Sequence, residues 1–575
     1  MNLSRREFLQ LIALAAAGAG LGGCQHGRTT RSSGHDLYDI EPFGNVTLLH
    51  ITDCHAQLLP IYFREPAVNI GVGEASGRPP HRVGDALLQY YGIPRGTPEA
   101  YALTHLDFEE AARRYGKVGG FAHLATLVKR LRASRPGRTL LLDGGDSWQG
   151  SATALWTRGQ DMIDAQKLLG VEMTTGHWEF TYGAPRVQEV IARDYQGRIE
   201  FLAQNVNDAT WDERVFTPYA LREVNGVSVA VIGQAYPYTP IANPRYLIPD
   251  WTFGIEEERL QETVDAARGK GAHVVVLLSH NGMDIDLKLA SRVRGIDVIL
   301  GGHTHDAVPA PVLVPNGGGK TLVTNSGSHG KFLSLLDLDV RARRVADFRY
   351  RLLPVFADPL PADADMAAHI DKVRAPYRER LEKRLAVTET LLYRRGNFSG
   401  TFDQLIVDAM LEVLGAEIAL SPGFRWGTTL LPGDAITFER VMDQTAVTYA
   451  DCVSDELTGE QLAAILEDIA DNLYNPDPYY QLGGDMVRVG GLTYTIDPTQ
   501  PHGRRISDLA VRGRPLVAGK RYKVAHWASV QPHAEPAPPI WDIVSTYLRD
   551  RKFVRVGRPY TPRLRGVGDN AGVGI

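Results

Sequence analysis

The chain has 575 residues, of which 44% are hydrophobic and 22% are charged, and its formal net charge is -5. A chain of this length and mixed composition is expected to fold into two or more globular domains rather than to stay disordered. The net charge argues against a broad basic face. The sequence therefore predicts no nucleic-acid partner, and an anionic substrate needs a local basic pocket.

Residues 1–42 are interpreted as an export signal followed by a polar linker. The pair Arg5-Arg6 precedes an apolar run at 11–21 that is too short to span a bilayer. This arrangement resembles a twin-arginine signal and predicts a periplasmic protein. The sequence Leu-Gly-Gly-Cys that ends at Cys24 also resembles a lipoprotein cleavage site, so contact with a membrane is expected only if Cys24 is lipidated.

Residues 43–360 are predicted to form a catalytic domain of the α/β class. Strand-like apolar runs lie at 46–51, 139–142, 227–232, 274–278 and 298–300, and helix-like segments at 121–133 and 256–269. Their alternation is typical of α/β domains. Residues 60–116 interrupt it with a stretch too long for an ordinary loop, either functional or poorly ordered, which we expect to shape the site entrance and a docking surface.

A second, smaller domain is predicted at 388–575. A charge-patterned helical segment at about 363–385 follows a proline-rich stretch, so residues 361–387 are interpreted as a helical linker. Beyond it, helical patterns at 401–414 and 459–473 mix with short strands near 491–496 and 521–525. This mixture predicts an α+β domain. The whole chain is expected to be a monomer.

Aspartate and histidine residues follow the strand-like runs directly, and ligands bind at the carboxyl ends of strands in open α/β sheets. The candidate metal ligands are Asp53, His55, Asp146, His177, His280, His303 and His305. Carboxylates and imidazoles without thiolates suit two divalent ions of the manganese, zinc or iron type. Two such ions about 3.5 to 4 Å apart can clamp an anionic group and activate water. The pattern therefore predicts a two-metal hydrolase.

The motifs Asp-x-His at 53–55, Gly-Gly-Asp at 144–146, Gly-His-Trp-Glu at 176–179, Ser-His at 279–280 and Gly-His-x-His at 302–305 resemble those of the metallophosphoesterase superfamily and its 5'-nucleotidase family. The resemblance covers most of residues 45–560. It implies a four-layer αββα catalytic domain, a helical linker and a C-terminal substrate-binding domain. It also implies one metal at Asp53, His55 and His305 and another at His177, His280 and His303, with Asp146 bridging.

The chain departs from the nucleotidase pattern at His177 and Trp178, where that family has its Asn ligand and its catalytic histidine. This change, with residues 52–58, 62–66 and the turn at 421–426, resembles the SoxB thiosulfohydrolases of bacterial sulfur oxidation. The resemblance implies an S-sulfosulfanyl-L-cysteine sulfohydrolase. Such an enzyme releases sulfate from a cysteine S-thiosulfonate on the carrier protein SoxYZ and uses two Mn²⁺ ions, although Zn²⁺ and Fe accept the same ligands.

Asp146, His177 and Trp178 are the candidate catalytic residues. A phosphate ester expels an alkoxide and profits from a positioned acid, whereas a persulfide leaves with little protonation. Replacement of the acid by Trp178 therefore fits cleavage of a sulfur–sulfur bond, with the indole packed against the persulfide. The alternative is that Trp178 only packs beside the metals. Arg394, Arg395 and Arg425 are candidates for binding the sulfonate, the alternative being that they are merely solvated.

Three further expectations concern the surroundings of the metals. Asp143 and Glu179 are expected to orient ligand imidazoles, and Cys54 is expected to be buried. Residues 444–449 lack the Pro-Phe-x-Asn motif with which nucleotidases clamp the base, which weakens nucleotide binding. A periplasmic 5'-nucleotidase or phosphodiesterase remains the main alternative, and a metal-binding module without catalysis is a third.

Overall fold

The computed structural model describes residues 37–531 and 535–574. The predicted twin-arginine signal and Cys24 lie outside the described residues. Within the described ranges, no helix has both the length and the apolar composition needed to cross a membrane.

Two six-stranded sheets form the centre of the first domain. The strand order of one is Arg344–Pro354, Phe332–Arg341, Val46–Ile51, Thr139–Asp143, Met173–Thr174 and Glu200–Phe201, and that of the other is Val312–Asn316, Gly319–Asn325, Val298–Gly301, Val274–Ser279, Val227–Gln234 and Tyr219–Val224. All five predicted strand-like runs are strands. The innermost pairs are parallel, for example Val46–Ile51 with Thr139–Asp143, so their carboxyl ends meet at one edge.

The two sheets pack face to face and are covered by helices on both outer sides. Alternate apolar side chains, such as Leu48 and Val276, fill the space between the sheets. The covering helices are Phe121–Ser134, Gln160–Leu169 and Ala364–Arg374 on the first sheet, and Glu257–Gly269 and Met283–Arg292 on the second. Each fully buried Val or Leu contributes about 1.5–3 kcal/mol. The four-layer αββα arrangement is thus confirmed.

Residues 60–116 form a folded helical unit rather than a loop. Its helices are Gly84–Tyr91, Pro98–Leu103 and Phe108–Tyr115, preceded by a 3-10 turn at Gly73–Ala75. Apolar side chains of this unit pack against Phe332 and Phe356 of the first domain and Leu431 of the second. Burial of these side chains therefore fixes the unit where the two domains meet.

The second domain mixes helices with small sheets, as predicted. Its helices are Thr401–Leu414, Phe438–Thr445, Gly459–Tyr474 and Ile540–Arg549; one sheet contains Cys452–Thr458, Arg521–Trp527, Ile418–Ser421 and Arg488–Gly490, and another Arg514–Pro515, Ile506–Val511, Leu492–Ile496 and Arg563–Leu564. The helix Thr401–Leu414 packs on Ile418–Ser421 and on Ile540–Arg549 and buries one apolar face. This packing forms the core of the domain.

The helical segment between the domains is shorter than expected. Helix Ala364–Arg374 gives way to a 3-10 turn at Ala375–Tyr377 and a last helical turn at Arg378–Leu381. Pro376 explains the change, because proline has no N–H to donate within a helix. The prediction of helix up to residue 385 is wrong, since Arg384–Thr388 is a strand that pairs with Ala435–Thr437 and Phe553–Val554.

Candidate metal centre and active site

The structure brings the seven predicted ligands together at the carboxyl ends of the strands. Each is buried, with between 0% and 8% of its surface exposed. Their ligand atoms form two groups, each with atoms within 4.8 Å of one another. The groups are Asp146, His177, His280 and His303, and Asp53, His55, Asp146 and His305. Asp146 belongs to both, which is the position a bridging carboxylate would occupy.

The carboxylate of Asp146 lies among three imidazoles. Its Oδ2 is 3.1 Å from His177 Nδ1, 3.2 Å from His280 Nε2 and 3.6 Å from His55 Nε2. Its Oδ1 accepts a 2.7 Å hydrogen bond from the backbone N–H of Trp178. The backbone at Trp178 therefore fixes one oxygen while the other faces the histidines.

Asp53 holds the other side of the cluster. Its Oδ1 is 3.3 Å from His305 Nε2, and both of its oxygens accept from the backbone N–H of His303 at 3.0 Å. The Nε2 atoms of His55 and His305 face each other at 3.1 Å in the interior. Converging imidazole nitrogens beside carboxylates, with no thiolate, form a donor set that fits divalent transition-metal ions.

Five of the seven residues adopt a left-handed backbone conformation. They are Asp53 (φ 51°), His55 (φ 44°), Asp146 (φ 59°), His303 (φ 69°) and His305 (φ 60°). Such a conformation costs on the order of 1–3 kcal/mol for a non-glycine residue and clusters at functional sites. Gly302 permits the close packing between them, because a Cβ there would lie 2.5 Å from Thr52 Oγ1 and 2.9 Å from His280 Nδ1.

The protonation states suit cation binding. Burial lowers the pKa of His303 and His305 well below the usual range and that of His177 to about 4, so these imidazoles are neutral near pH 7. Burial opposes protonation of His280, but Asp146 and Asp53 together raise its pKa to about 10. Because a ligating imidazole must be neutral, cation binding would release the proton of His280.

Glu179 and Asp143 hold backbone rather than imidazoles, so the prediction made for them is wrong. Glu179 accepts from the N–H groups of His177, Asp146, Ser147 and Trp148 at 2.8–3.4 Å. Asp143 accepts from Ser147 Oγ at 2.7 Å, Gln166 Nε2 at 2.6 Å and the N–H of Gly145. Glu179 thus holds the ligand-bearing turns through their amides, whereas Asp143 bonds to two side chains and one amide. His280 instead donates from Nδ1 to the carbonyl of Gly144 at 2.6 Å.

An aromatic cleft leads to the predicted ligands. Trp178, 6% exposed, meets Phe424 and Trp426 edge to face, with ring centroids 5.5 and 5.2 Å away, and stacks on Tyr449 at 6.2 Å. The cleft reaches His55, Asp146, His177, His303 and His305. Trp178 is therefore part of the wall of the site. Cys54 is fully buried, as expected.

The three candidate arginines have different positions. Arg425 lines the aromatic cleft and donates from Nη1 to the carbonyl of His303 at 3.1 Å. Arg395 donates to the carbonyl of Thr304 at 3.0 Å and lines a neighbouring cavity.

Arg394 does not have the substrate-binding position predicted for it. Its side chain is 1% exposed and is paired with Asp403 at 2.8 Å, and it donates to the backbone carbonyls of Gln444 and Pro422. The guanidinium of Arg394 therefore bonds to groups in the interior of the second domain. The prediction that Arg394 binds a substrate is wrong.

Tyr236 and the loop 481–484 were not singled out from the sequence. The Tyr236 ring stacks on His303 at 4.3 Å, and its hydroxyl donates to the carbonyl of Leu482 at 2.5 Å. His303 Nε2 meets the same carbonyl at 3.1 Å, and a Cβ on Gly483 would lie 2.4 Å from that nitrogen. The Gly-Gly-Asp sequence at 483–485 repeats the motif at 144–146, and this repeat could have indicated from the sequence that the loop belongs to the site.

Comparison with known families identifies both domains. The profile of the Calcineurin-like phosphoesterase family matches residues 46–307, and that of the 5'-nucleotidase C-terminal domain matches residues 385–535. A sulfate thiohydrolase SoxB of Thermus thermophilus, solved in complex with glycerol, is 40% identical. Its TM-score is 0.87, over 92% of this chain and 98% of that one.

Other relatives are nucleotidases. A 5'-nucleotidase precursor from Thermus thermophilus is 24% identical, with a TM-score of 0.71 over 91% of this chain and 99% of that one, and supports the fold alone. Bovine 5'-nucleotidase is 25% identical over 457 residues, which are 71% of this chain and 76% of that protein. Rat 5'-nucleotidase is 29% identical over 242 residues, which are 39% of this chain and 41% of the rat enzyme.

Proposed function

We propose, from the premise that the chain belongs to the 5'-nucleotidase family of calcineurin-like metallophosphoesterases, that it is a hydrolase of a sulfur–sulfur bond. Its proposed substrate is a cysteine S-thiosulfonate on a carrier protein. Attack of water on the sulfonate sulfur breaks the bond to the inner sulfur, giving sulfate, a cysteine persulfide anion and two protons. Trp178, in the wall of the cleft where nucleotidases have their catalytic histidine, carries this proposal.

Two divalent cations, manganese in this proposal, would be held by the seven ligand side chains, with Asp146 shared between them. When bound, they would neutralise oxyanion charge and activate water. The remaining contributions come from the chain itself. The backbone N–H of Trp178 holds one oxygen of Asp146, and Glu179 holds the turns that carry Asp146 and His177.

The aromatic wall suits a persulfide leaving group. Persulfide sulfur is polarisable and needs little protonation, so an indole can replace an acid at this position. Trp178, Phe424 and Trp426 would pack against the two sulfur atoms of the leaving persulfide and keep water away from those two atoms. The apolar wall would thus favour departure of a sulfur anion over that of an alkoxide.

Arg425 is placed to hold the sulfonate of the substrate. Its guanidinium lines the cleft and is tied to the backbone of His303 and Gly484, so it cannot swing away. Guanidinium groups present paired donors that match the oxygens of a sulfonate. Arg425 would therefore orient the sulfonate sulfur toward the cation side of the cleft.

The form of the cleft favours a substrate delivered on a slender arm. Ile241 at its rim is 59% exposed, whereas the predicted ligands at its inner end are at most 8% exposed. We therefore take a swinging-arm carrier of the SoxYZ type as the partner. A periplasmic location reached through a twin-arginine signal, lipidation of Cys24 and a monomeric state belong to the same proposal.

Product analysis tests the reaction. Manganese-loaded protein is incubated with thiosulfonated SoxYZ and, separately, with AMP, and sulfate and phosphate are measured by ion chromatography. Sulfate released from the carrier, absent with a His177→Ala variant, is the expected result. Phosphate from AMP without sulfate from the carrier would identify a nucleotidase instead, and no product from either would indicate a binding module.

The nucleotidase alternative has its own support. The bovine relative aligns with 71% of this chain and is a 5'-nucleotidase. Against it, the indole of Trp178 has no acidic proton to donate to an alkoxide leaving group. The segment that carries the base clamp in nucleotidases here supplies Tyr449, which stacks on Trp178 and donates its hydroxyl to the carbonyl of Ala242.

A further inference from the structure

A second cavity, here called the back cavity, adjoins the predicted metal ligands. Its walls include Asn69 and His81 of the helical unit, Asp306 and Arg395 at the domain boundary, and Asn472 of the second domain. His303, Arg425, Gly483 and Gly484 line both the back cavity and the aromatic cleft. Arg425 and the loop 481–484 therefore form a thin partition between the two spaces.

Buried positive charge is concentrated at this partition. Four arginines share two aspartates, through Arg394–Asp403 (2.8 Å), Arg488–Asp403 (3.2 Å), Arg488–Asp485 (2.8 Å), Arg425–Asp485 (3.4 Å) and Arg395–Asp485 (4.0 Å). Asp306 adds one further carboxylate at the cavity, while His81 is paired with Asp284 at 2.7 Å. The four guanidinium groups and His81 thus face four carboxylates, those of Asp403, Asp485, Asp306 and Asp284. An uncompensated buried charge is costly, so the cluster is suited to an anion.

Arg395 lines this cavity, and its Nε lies 4.0 Å from Asp485 Oδ2. Its side chain is 6% exposed, its Nη2 donates to the carbonyl of Thr304, and its buried Nε has no hydrogen-bond partner in the described structure. A buried guanidinium nitrogen without an acceptor costs roughly 1–3 kcal/mol, more when charged. An oxyanion in the cavity would lie beside this incompletely paired guanidinium and balance part of its charge.

The lining of the back cavity is partly exposed to solvent. Asn69, Pro80, Asn472 and Gln481 on its rim are all half-buried. The inference rests on the proposed function, in which a carrier arm fills the aromatic cleft. An anion released at the inner end of that cleft would be confined behind the arm, with Arg425 as its neighbour.

We propose that the back cavity binds the released sulfate between Arg425 and Arg395 and lets it leave on the side opposite the carrier arm. Arg425 contacts the sulfonate on the cleft side and Arg395 receives the product on the other. The arm and the sulfate can then depart independently. Arg395 acts in this proposal as a product-binding residue.

Diffraction locates the site. Crystals of the manganese-loaded protein are soaked in selenate, a sulfate analogue with a strong anomalous signal, and peaks are sought beside Arg395. A selenium peak in the back cavity of the wild type, lost in Arg395→Gln, is expected. A peak only at the metal centre, or an unchanged peak in Arg395→Gln, would overturn the proposal.

Solution binding gives the same test without a crystal. Titration of the manganese-loaded protein with sulfate and with phosphate should show at least about tenfold weaker binding in Arg395→Gln, and a smaller loss in Arg395→Lys, which keeps the charge but not the fork. Equal affinity in wild type and Arg395→Gln contradicts the proposal. Since neither anion titration requires turnover, this result is independent of whether the carrier is the substrate.

An exit role, rather than static binding, is tested by narrowing the rim. Asn472→Trp should leave the rate of the first turnover on thiosulfonated SoxYZ near that of the wild type and lower the steady-state rate severalfold, because product release becomes slow. An unchanged steady-state rate with correct folding and metal content would rule out exit through this cavity. Absence of any sulfate release in the wild type would instead refute the proposed function and leave the selenate result standing.

Discussion

The predicted metal cluster and the arginine cluster are both buried groups of charged side chains, yet they are built in opposite ways. The first contains two aspartates and five histidines that converge on shared points, an arrangement made to receive positive charge. The second contains four arginines and two aspartates, already linked to one another and to backbone carbonyls, with positive charge in excess. They meet where Arg425 Nη1 donates to the carbonyl of His303 at 3.1 Å. Placing cations beside a guanidinium suits a substrate that is an oxyanion.

Similar burial in the two clusters does not mean a similar role. In the predicted metal cluster several buried ring nitrogens have no hydrogen-bond partner, among them His177 Nε2 and His305 Nδ1. Arg394 in the arginine cluster is fully engaged and braces the fold, whereas Arg425 and Arg395 face cavities. Substitutions should therefore separate loss of chemistry from loss of stability.

The largest effect is expected at the carboxylate shared by both cation groups. Asp146→Asn should lower sulfate release by more than about 1,000-fold and reduce the manganese content of the purified protein, because a neutral amide cannot bridge two cations. The matched control is Asp161→Asn, a buried aspartate of the same domain that bonds to Thr157 and Met162. Elemental analysis showing two manganese ions in Asp146→Asn would contradict the bridging role.

Arg394→Gln should lower the free energy of unfolding of the protein. It leaves the buried Asp403 without one of its two guanidinium partners, and breaking such a pair costs about 3–5 kcal/mol. Denaturant unfolding measures the change in free energy of unfolding. A variant as stable as the wild type but with a raised KM for the carrier would restore Arg394 to the substrate-binding role that the structure denies it.

Arg425→Gln should lower the turnover rate rather than the stability of the protein. Loss of one oriented donor at an oxyanion costs on the order of 100-fold in turnover. Arg425 pairs with Asp485 at 3.4 Å, but Asp485 keeps Arg488 at 2.8 Å, so unfolding should change less than in Arg394→Gln. Equal losses of stability in the two variants would refute the distinction between Arg394, which stabilises the fold, and Arg425, which binds the substrate.

The smallest absolute activity is expected from Trp178→His, at the surface where the two domains meet. A restored acid should raise AMP hydrolysis, up to on the order of 100-fold, from a very low level. Hydrolysis of p-nitrophenyl phosphate is the internal control, because its leaving group needs little protonation. Trp178→Phe, which keeps the wall apolar, should gain nothing on either substrate. Equal gains on both phosphates would count against the leaving-group argument.

Many strands and helices of the fold could be predicted from the pattern of apolar residues in short stretches of the sequence. Runs of Val and Leu such as 274–278 are strands because they are buried on both faces of a parallel sheet, and Thr401–Leu414 is a helix at the predicted bounds. The helix predicted through residue 385 failed there because Arg384–Thr388 gains strand partners from 435–437 and 553–554, residues distant in sequence. A short stretch of sequence does not show which distant segments will pair with it.

The candidate metal ligands could be predicted from the sequence, because they follow strands and the carboxyl ends of parallel strands converge. The sequence could not rank Arg394, Arg395 and Arg425, since a guanidinium braces or binds according to which carboxylates and carbonyls the folded chain brings to it. The folded chain shows that Asp403 pairs with Arg394, that Glu179 accepts from backbone amides, and that Arg425 lines two cavities. These distinctions depend on contacts across the domain boundary, where electrostatic partners are set by packing and not by spacing along the chain.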